Sequence, residues 1–231
     1  HMGDGGLAAG GALGSAGVTP ARLEHVYWGT NASDSEIRRA LSVAGLPKRK
    51  TPEIIQQVVD VLAAGKVIAR CTGAMEWGPR ALGNRSILAA PFDAKINDWL
   101  NDMLKRSEFM PFAPVVREED VDRWFKGTHT AADASRFMTV CFDVTQAFAD
   151  ACPAAVHVDG TARPQLVSAE SNPSLHAALT AFGEETGTPV LINTSFNMHE
   201  EPLVRTPTDA IRAWRASGID ALWLGDYLLK Q

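Results

Sequence analysis

Four short segments of this 231-residue sequence gather more cationic, hydroxyl and amide side chains than a connecting loop requires. The first, Glu76-Trp77-Gly78-Pro79-Arg80-Ala81-Leu82-Gly83-Asn84-Arg85-Ser86, places two arginines five residues apart. On an unbroken helix they would diverge by about 140°. Proline after glycine favours a helix start and Gly83 an end one turn later, a break that would let Arg80 and Arg85 face one pocket. Backbone N–H groups at such a start would add a seat for an anion. The plainer alternative is two surface arginines on a turn. The second segment, Lys105-Arg106-Ser107-Glu108, follows an amphipathic stretch, where a basic pair equally suits the negative end of a helix dipole.

The third segment, His157-Val158-Asp159-Gly160-Thr161-Ala162-Arg163-Pro164-Gln165, holds an Asp-Gly hairpin signal between two strand candidates. Arg163 and Gln165 would share a face of an extended backbone. His157 reads either as a site residue or as a satisfied core histidine. The fourth, Asn193-Thr194-Ser195-Phe196-Asn197, follows the apolar run Val190-Leu191-Ile192. The end of a buried strand is where open α/β sheets bind ligands, and an Asx or Ser turn is the competing reading.

Cations with hydroxyl and amide neighbours suit phosphate-bearing substrates. The sequence lacks G-x-x-x-x-G-K-[ST], and lacks G-x-G-x-x-G after a strand, so a nucleotide site here would need dispersed cations and not one glycine-rich cradle. No G-x-S-x-G elbow is present. The six histidines show no ligand spacing with one another or with cysteine, which argues against zinc. Cys71, Cys141 and Cys152 are too scattered for a disulfide framework and read as small thiols in a reducing cytoplasm.

These segments need elements to position them. Ser33-x-x-Glu36 is a capping box opening a helix through Leu41, and Thr51-Pro52 caps a second through Leu62. Val67 to Ala69 and Ser86 to Ala90 read as buried strands, Ile96 to Leu104 as a helix, Pro111 to Val116 as extended, and Glu118 to Phe125 as a short helix. Phe137 to Val144 alternates like a half-buried strand, and Val156-His157-Val158 with Gln165-Leu166-Val167 fits a strand pair. Asn172-Pro173 opens a helix to Glu185, Pro189 to Ile192 is a strand, Thr206-Pro207-x-Asp209 caps a helix, and Ala221 to Leu224 closes with a strand. Without a strict βαβ rhythm, the expected class is α/β with a twisted mixed sheet and flanking helices.

Twenty-two basic and 27 acidic residues leave a net charge of −5, which disfavours non-specific nucleic-acid binding. Apolar runs are far shorter than the roughly 18 residues of a membrane span. No signal peptide follows His1-Met2, and the expected setting is cytoplasmic. The glycine-rich opening from Gly3 to Gly14 reads as part of something longer, and Pro47-Lys48-Arg49-Lys50 reads as a linker.

Taken in order, the four segments resemble the C-terminal domain of the NodU/CmcH-type O-carbamoyltransferases. Phe109-Met110-Pro111-Phe112-Ala113-Pro114, Glu201-Pro202 and Asp220-Ala221-Leu222-Trp223-Leu224-Gly225 extend the likeness from about Thr51 to the end. The resemblance implies a YrdC-like domain over residues 51–231 that makes carbamoyl-adenylate from carbamoyl phosphate and ATP. An N-terminal domain of actin-like ATPase fold would then pass the carbamoyl group to a hydroxyl of a natural product, as in antibiotic biosynthesis. Residues 1–50 would be that domain's tail, and Gly3-Asp4-Gly5-Gly6-Leu7 resembles its last motif, with Asp4 near metal and nucleotide. By the resemblance and their chemistry, Arg80, Lys105, Arg106 and Arg163 would serve the phosphate and carbamoyl groups. Arg85, His157, Thr194, Ser195 and Asn197 would meet substrate and nucleotide. No metal ligand is assigned to residues 51–231, and Mg²⁺ would carry part of the charge. One departure stands out: Leu104 occupies the place of a family lysine, with Lys105 beside it, and Met110 that of an arginine. A threonylcarbamoyl-adenylate synthase, and a nucleotide-binding module without turnover of its own, are the alternatives.

Overall fold

Strands in the middle of this chain are apolar on both faces because helices cover both sides of the sheet they form. A computed structural model describes residues 3–19, 22–103 and 112–231. In chain order the helices and strands are α1 (Leu7–Ser15), α2 (Asp34–Val43), α3 (Ile54–Ala63), β1 (Ile68–Cys71), β2 (Arg85–Ala89) and α4 (Ile96–Met103). Then come β3 (Ala113–Arg117), α5 (Val121–Trp124), α6 (Ala132–Ser135), β4 (Phe142–Asp143), α7 (Gln146–Ala151), β5 (Thr161–Ala162) and β6 (Gln165–Val167). The last are α8 (Pro173–Thr186), β7 (Val190–Ser195), α9 (Pro207–Ser217), β8 (Ala221–Leu224) and β9 (Tyr227–Lys230).

Seven strands form one sheet in the order β6-β3-β7-β2-β1-β8-β9. The pairs β6–β3 and β1–β8 are parallel and the other neighbours antiparallel, so the sheet is mixed, as expected. Side chains alternate between its faces. Ile68, Leu88, Leu191 and Trp223 turn toward α3 and α8, packing with Val58, Leu62, Leu175 and Phe182. Ala69, Cys71, Ile87, Ile192 and Leu222 turn the other way, under Ile37 and Leu41 of α2 and Ile211 and Trp214 of α9. A third apolar group, built on Trp124, Phe125 and Phe148, fastens the small β4–β5 pair to the edge at Val116 and Leu166. In contrast to α2, α1 buries none of its residues. No helix among the described residues is long and apolar enough to cross a membrane.

Register decides where the site falls. Cys71 pairs with Arg85 and with Leu224, Ser86 with Ser195, and Ala113 with Asn193. One end of the sheet therefore collects the segments that follow β1, β7 and β8 and the one that precedes β2, beside the start of β3.

Three of the four expected caps hold. Ser33 and Glu36 form the capping box of α2, Thr206 and Asp209 that of α9, and Asn172 caps α8 ahead of Pro173. Four expectations need correction. Thr51 does not cap α3, which starts after Glu53 at φ 50°; its hydroxyl instead accepts from the Leu228 N–H and ties α3 to the β8–β9 hairpin. Residues 137–144 yield only the two-residue β4, because Ser135 and Met138 close turns just before it. Residues 156–158 do not pair with 165–167: the His157–Thr161 turn closes on itself, and β6 runs parallel to β3. No helix starts at Gly78-Pro79.

Candidate functional site

The segment from Thr72 to Asn84 forms no helix or strand; backbone bonds to residues 26–31 hold its first half and side chains from across the fold the rest. Glu76, only 4% exposed, turns its carboxylate back into the segment. Its Oε1 accepts the N–H groups of Leu82, Asn84 and Arg85 at 2.8, 2.7 and 3.1 Å. The Ser86 hydroxyl takes the Gly83 N–H. Carbonyls are held from elsewhere: Leu82 by Tyr27 Oη and Gln165 Nε2, Gly83 by Arg70, and Ala81 by Asn193. Gly83, at φ 105°, admits no side chain, since a Cβ there would collide with Leu175. Burial pushes the Tyr27 phenol up to about 12, which keeps it a donor at neutral pH.

Two fully buried arginines anchor this framework. Arg70 lies on the α8 side of the sheet, 4.4 Å over the Trp223 ring, and donates to Asn84, Asn172 and Ser174 as well as to Gly83. Burial lowers its pKa to about 10, and it still carries its charge at neutral pH. Arg85 donates to the carbonyls of Thr72, Gly73, Asn84 and Thr30. Its guanidinium thus braces the loop walls and does not share a pocket with Arg80, contrary to the reading of the spacing.

Arg80 has the opposite fate. It points with Arg163, Thr194 and Ser195 into one cleft at the end of the sheet, backed by Phe112 and Met138. Neither Arg80 nor Arg163 forms an ion pair among the described residues. Arg163 Nε is buried without a hydrogen-bond partner. Burial first, and then the charge of Arg80, hold the Arg163 pKa below the ordinary arginine range. Two guanidinium groups without an ion-pair partner among the described residues, lining one cleft with Thr194 and Ser195, suit a dianion. The cleft has a volume of about 90 Å³, well below the roughly 300 Å³ where small-molecule pockets begin, and so takes a phosphate-sized group and not a whole nucleotide.

A larger groove of about 590 Å³ opens on the other side of the same loop, between α2, α3 and α8. Its charged lining residues are Asp34 and Asp226, which share the single cation Lys50, and no arginine lines it. The smaller cleft has the chemistry.

Of the other expected residues, His157 stands near Arg163, with Nδ1 3.1 Å from the Thr161 hydroxyl; burial keeps its pKa below the usual histidine value. Asn197 does not reach the cleft: its Nδ2 donates to the carbonyls of Met198 and Glu201, bracing a turn. Lys105 and Arg106 lie outside the described residues, as does the side chain of Asp4. Sequence reasoning missed Arg70, Tyr27, Asn84 and Asn172. Arg70 alone carried a signal, as a charge interrupting the apolar run Val67 to Cys71.

The cleft lining contains no carboxylate, and no cluster of three or more His, Cys, Asp or Glu among the described residues suits a metal. The described lining of the cleft thus offers no carboxylate to hold Mg²⁺.

Residues 59–231 match the family described as Carbamoyltransferase C-terminus. The chain belongs to that family. It is 38% identical to nodulation protein NolO of Bradyrhizobium diazoefficiens over 91% of this chain and 39% of NolO. It is 36% identical to the 3'-hydroxymethylcephem-O-carbamoyltransferase of Amycolatopsis lactamdurans over 74% of this chain and 32% of that protein. Protein MJ1058 of Methanocaldococcus jannaschii is 40% identical over all of this chain and 39% of its own length. The chain thus spans well under half the length of these curated relatives. Its fold matches HypF in a phosphate- and nucleotide-bound crystal structure, at TM-score 0.50 and 18% identity over 74% of this chain and 21% of HypF. T. kodakarensis HypF gives TM-score 0.51 at 13% identity over 80% and 22%. The likeness agrees with the expected YrdC-like class.

Proposed function

We propose that this member of the carbamoyltransferase C-terminus family forms carbamoyl-adenylate from carbamoyl phosphate and ATP, for transfer to a hydroxyl of a small molecule by the remainder of a longer protein. The observation that carries the reading is that Arg80 and Arg163 line one cleft with Thr194 and Ser195, a seat of the right charge and size for the phosphate of carbamoyl phosphate.

The arginines hold the carbamoyl phosphate dianion. Water cleaves it to carbamate and phosphate, and a carbamate oxygen then attacks the α-phosphorus of ATP, so that pyrophosphate leaves and the acyl phosphate link of carbamoyl-adenylate forms. The chain's part is to neutralise charge and to align the two anions, which otherwise repel. No side-chain nucleophile is required. Because the cleft has room only for the smaller group, ATP extends outward over its rim. The setting is cytoplasmic, where ATP is supplied.

The partner is the portion of longer relatives outside this stretch. Exposed Trp28 and Trp77, packed on each other at 5.7 Å, leave an apolar patch beside the Arg80 loop, and α1 offers an uncovered helix. Such surfaces mark contact sites.

Pyrophosphate release by the chain with Mg-ATP, with and without carbamoyl phosphate, tests the proposal. Release that requires both substrates is expected. Release without carbamoyl phosphate, or bound carbamoyl phosphate that Arg80→Ala leaves unaffected, would overturn it.

A further inference from the structure

Three N–H groups converging on one point are an anion seat. The helix-start seat read from Gly78-Pro79 is absent. The N–H groups that do converge in this segment, those of Leu82, Asn84 and Arg85, all donate to the protein's own carboxylate at Glu76 Oε1. These donors lie six, eight and nine residues beyond Glu76, so the contact closes the segment into a loop with Arg80 inside it. Arg80 has no ion-pair partner among the described residues to locate its side chain. Its place depends on the backbone beneath it, and that backbone depends on Glu76.

We infer that Glu76 is the positioning residue for Arg80, fixing the loop so that the guanidinium stands opposite Arg163. A carboxylate does this better than a neutral acceptor because hydrogen bonds to a charged oxygen are shorter and stronger. The charge is affordable in a buried site because Arg70 lies close enough to feel it and Arg85 caps the far wall of the same loop. Glu76 never touches the anion. The inference rests on the proposed function only for the identity of the ligand, since the geometry concerns two arginines and any phosphate between them.

The test is a double-mutant cycle on the whole chain, read as the affinity for inorganic phosphate by titration calorimetry. Arg80→Ala is expected to weaken binding about tenfold, the loss of one charge-assisted contact. Glu76→Gln, which keeps an acceptor and the side-chain shape, is expected to weaken it severalfold, and Glu76→Ala to match Arg80→Ala. In the double variant the losses should not add, because a displaced Arg80 has little left to lose. If Glu76→Gln lowers the thermal midpoint but leaves phosphate affinity and the full Arg80 effect intact, the residue is structural only and the inference fails. A non-additive cycle in a chain that releases no pyrophosphate would keep Glu76 in this role and sink the proposed function. Absence of any phosphate binding by the unmodified chain overturns both.

Discussion

Gln165 and Asn193 are joined side chain to side chain, Asn193 Nδ2 donating to Gln165 Oε1 at 2.6 Å, in the buried layer beneath the Arg80 loop. The same Gln165 amide donates to the Leu82 carbonyl at 2.7 Å, and Asn193 donates to that of Ala81. Arg163 precedes Gln165 by two residues, and Thr194 and Ser195 follow Asn193. One buried pair therefore ties together the three segments that supply the cleft's polar residues.

Gln165→Leu should show how much this tie contributes. It preserves bulk but leaves the Asn193 amide short of an acceptor and the Leu82 carbonyl with Tyr27 alone. Leaving buried polar groups unpaired costs about 1–3 kcal/mol. Urea unfolding should register a loss in that range with an unchanged slope. A change below about 0.5 kcal/mol, within the usual spread of surface substitutions, would mean that water replaces the contact.

Arg163→Ala separates function from folding. Its guanidinium sits half-buried beside Arg80 with its Nε unpartnered, so the folded state gains little from it and carries some like-charge repulsion. The variant should melt at or above the temperature of the unmodified chain, while pyrophosphate release falls by about 10²–10³-fold, the usual cost of removing a preorganised charge contact. Raising ionic strength should weaken the parent's substrate binding and the variant's less steeply, since Arg80 remains. A lowered midpoint with retained release would reverse the assignment.

The sheet and its helices were legible because each carries its own evidence. Ser33-x-x-Glu36, Asn172-Pro173 and Thr206-Pro207-x-Asp209 announce helix starts through bonds made within four residues. The loop at 72–84 was not legible, because its shape depends on partners far away in sequence: Tyr27 is 55 residues from Leu82, Gln165 is 83, and Asn172 is 102 from Arg70. Spacing alone cannot tell Arg80 from Arg85, since both are arginines on one turn-rich stretch. Register decides: Arg85 is the first residue of β2 and is drawn under the loop, whereas Arg80 stays outside the ladder. The Asp159-Gly160 turn was read correctly as a turn, but β6 found its partner in β3 and not in the segment just before it.

Thiol labelling checks the buried face of β1. Cys71 and Cys152 are buried and Cys141 is exposed. Burial pushes the Cys71 thiol up to about 11 and Cys152 to about 12, so neither supplies thiolate near neutrality. Iodoacetamide at pH 8 should modify one thiol per native chain, mapped to Cys141 by mass spectrometry, and three after unfolding. Rapid native labelling at Cys71 would mean that the Thr72–Asn84 loop opens, since that loop leads directly out of β1.

His157 supplies the pH dependence. Burial, with a smaller opposing contribution from Asp159 and then the charge of Arg163, holds its folded pKa below 6.5. The unfolded chain therefore binds the proton more readily, and the associated stability is fully present above pH 6.5 and is lost as pH falls through the folded value. The thermal midpoint should drop between about pH 7 and pH 5, and His157→Gln should flatten that part of the profile while leaving the drop caused by carboxylates below it. Phosphate affinity should move the opposite way. A protonated His157 adds a positive charge near Arg163, so the parent should bind inorganic phosphate more tightly near pH 5.5 than at 7.5, after allowing for the phosphate's own ionisation, and the variant should not. An NMR titration of the His157 ring decides the matter. A midpoint at or above 6.5 would place the imidazole in solvent, away from Arg163, and remove both effects.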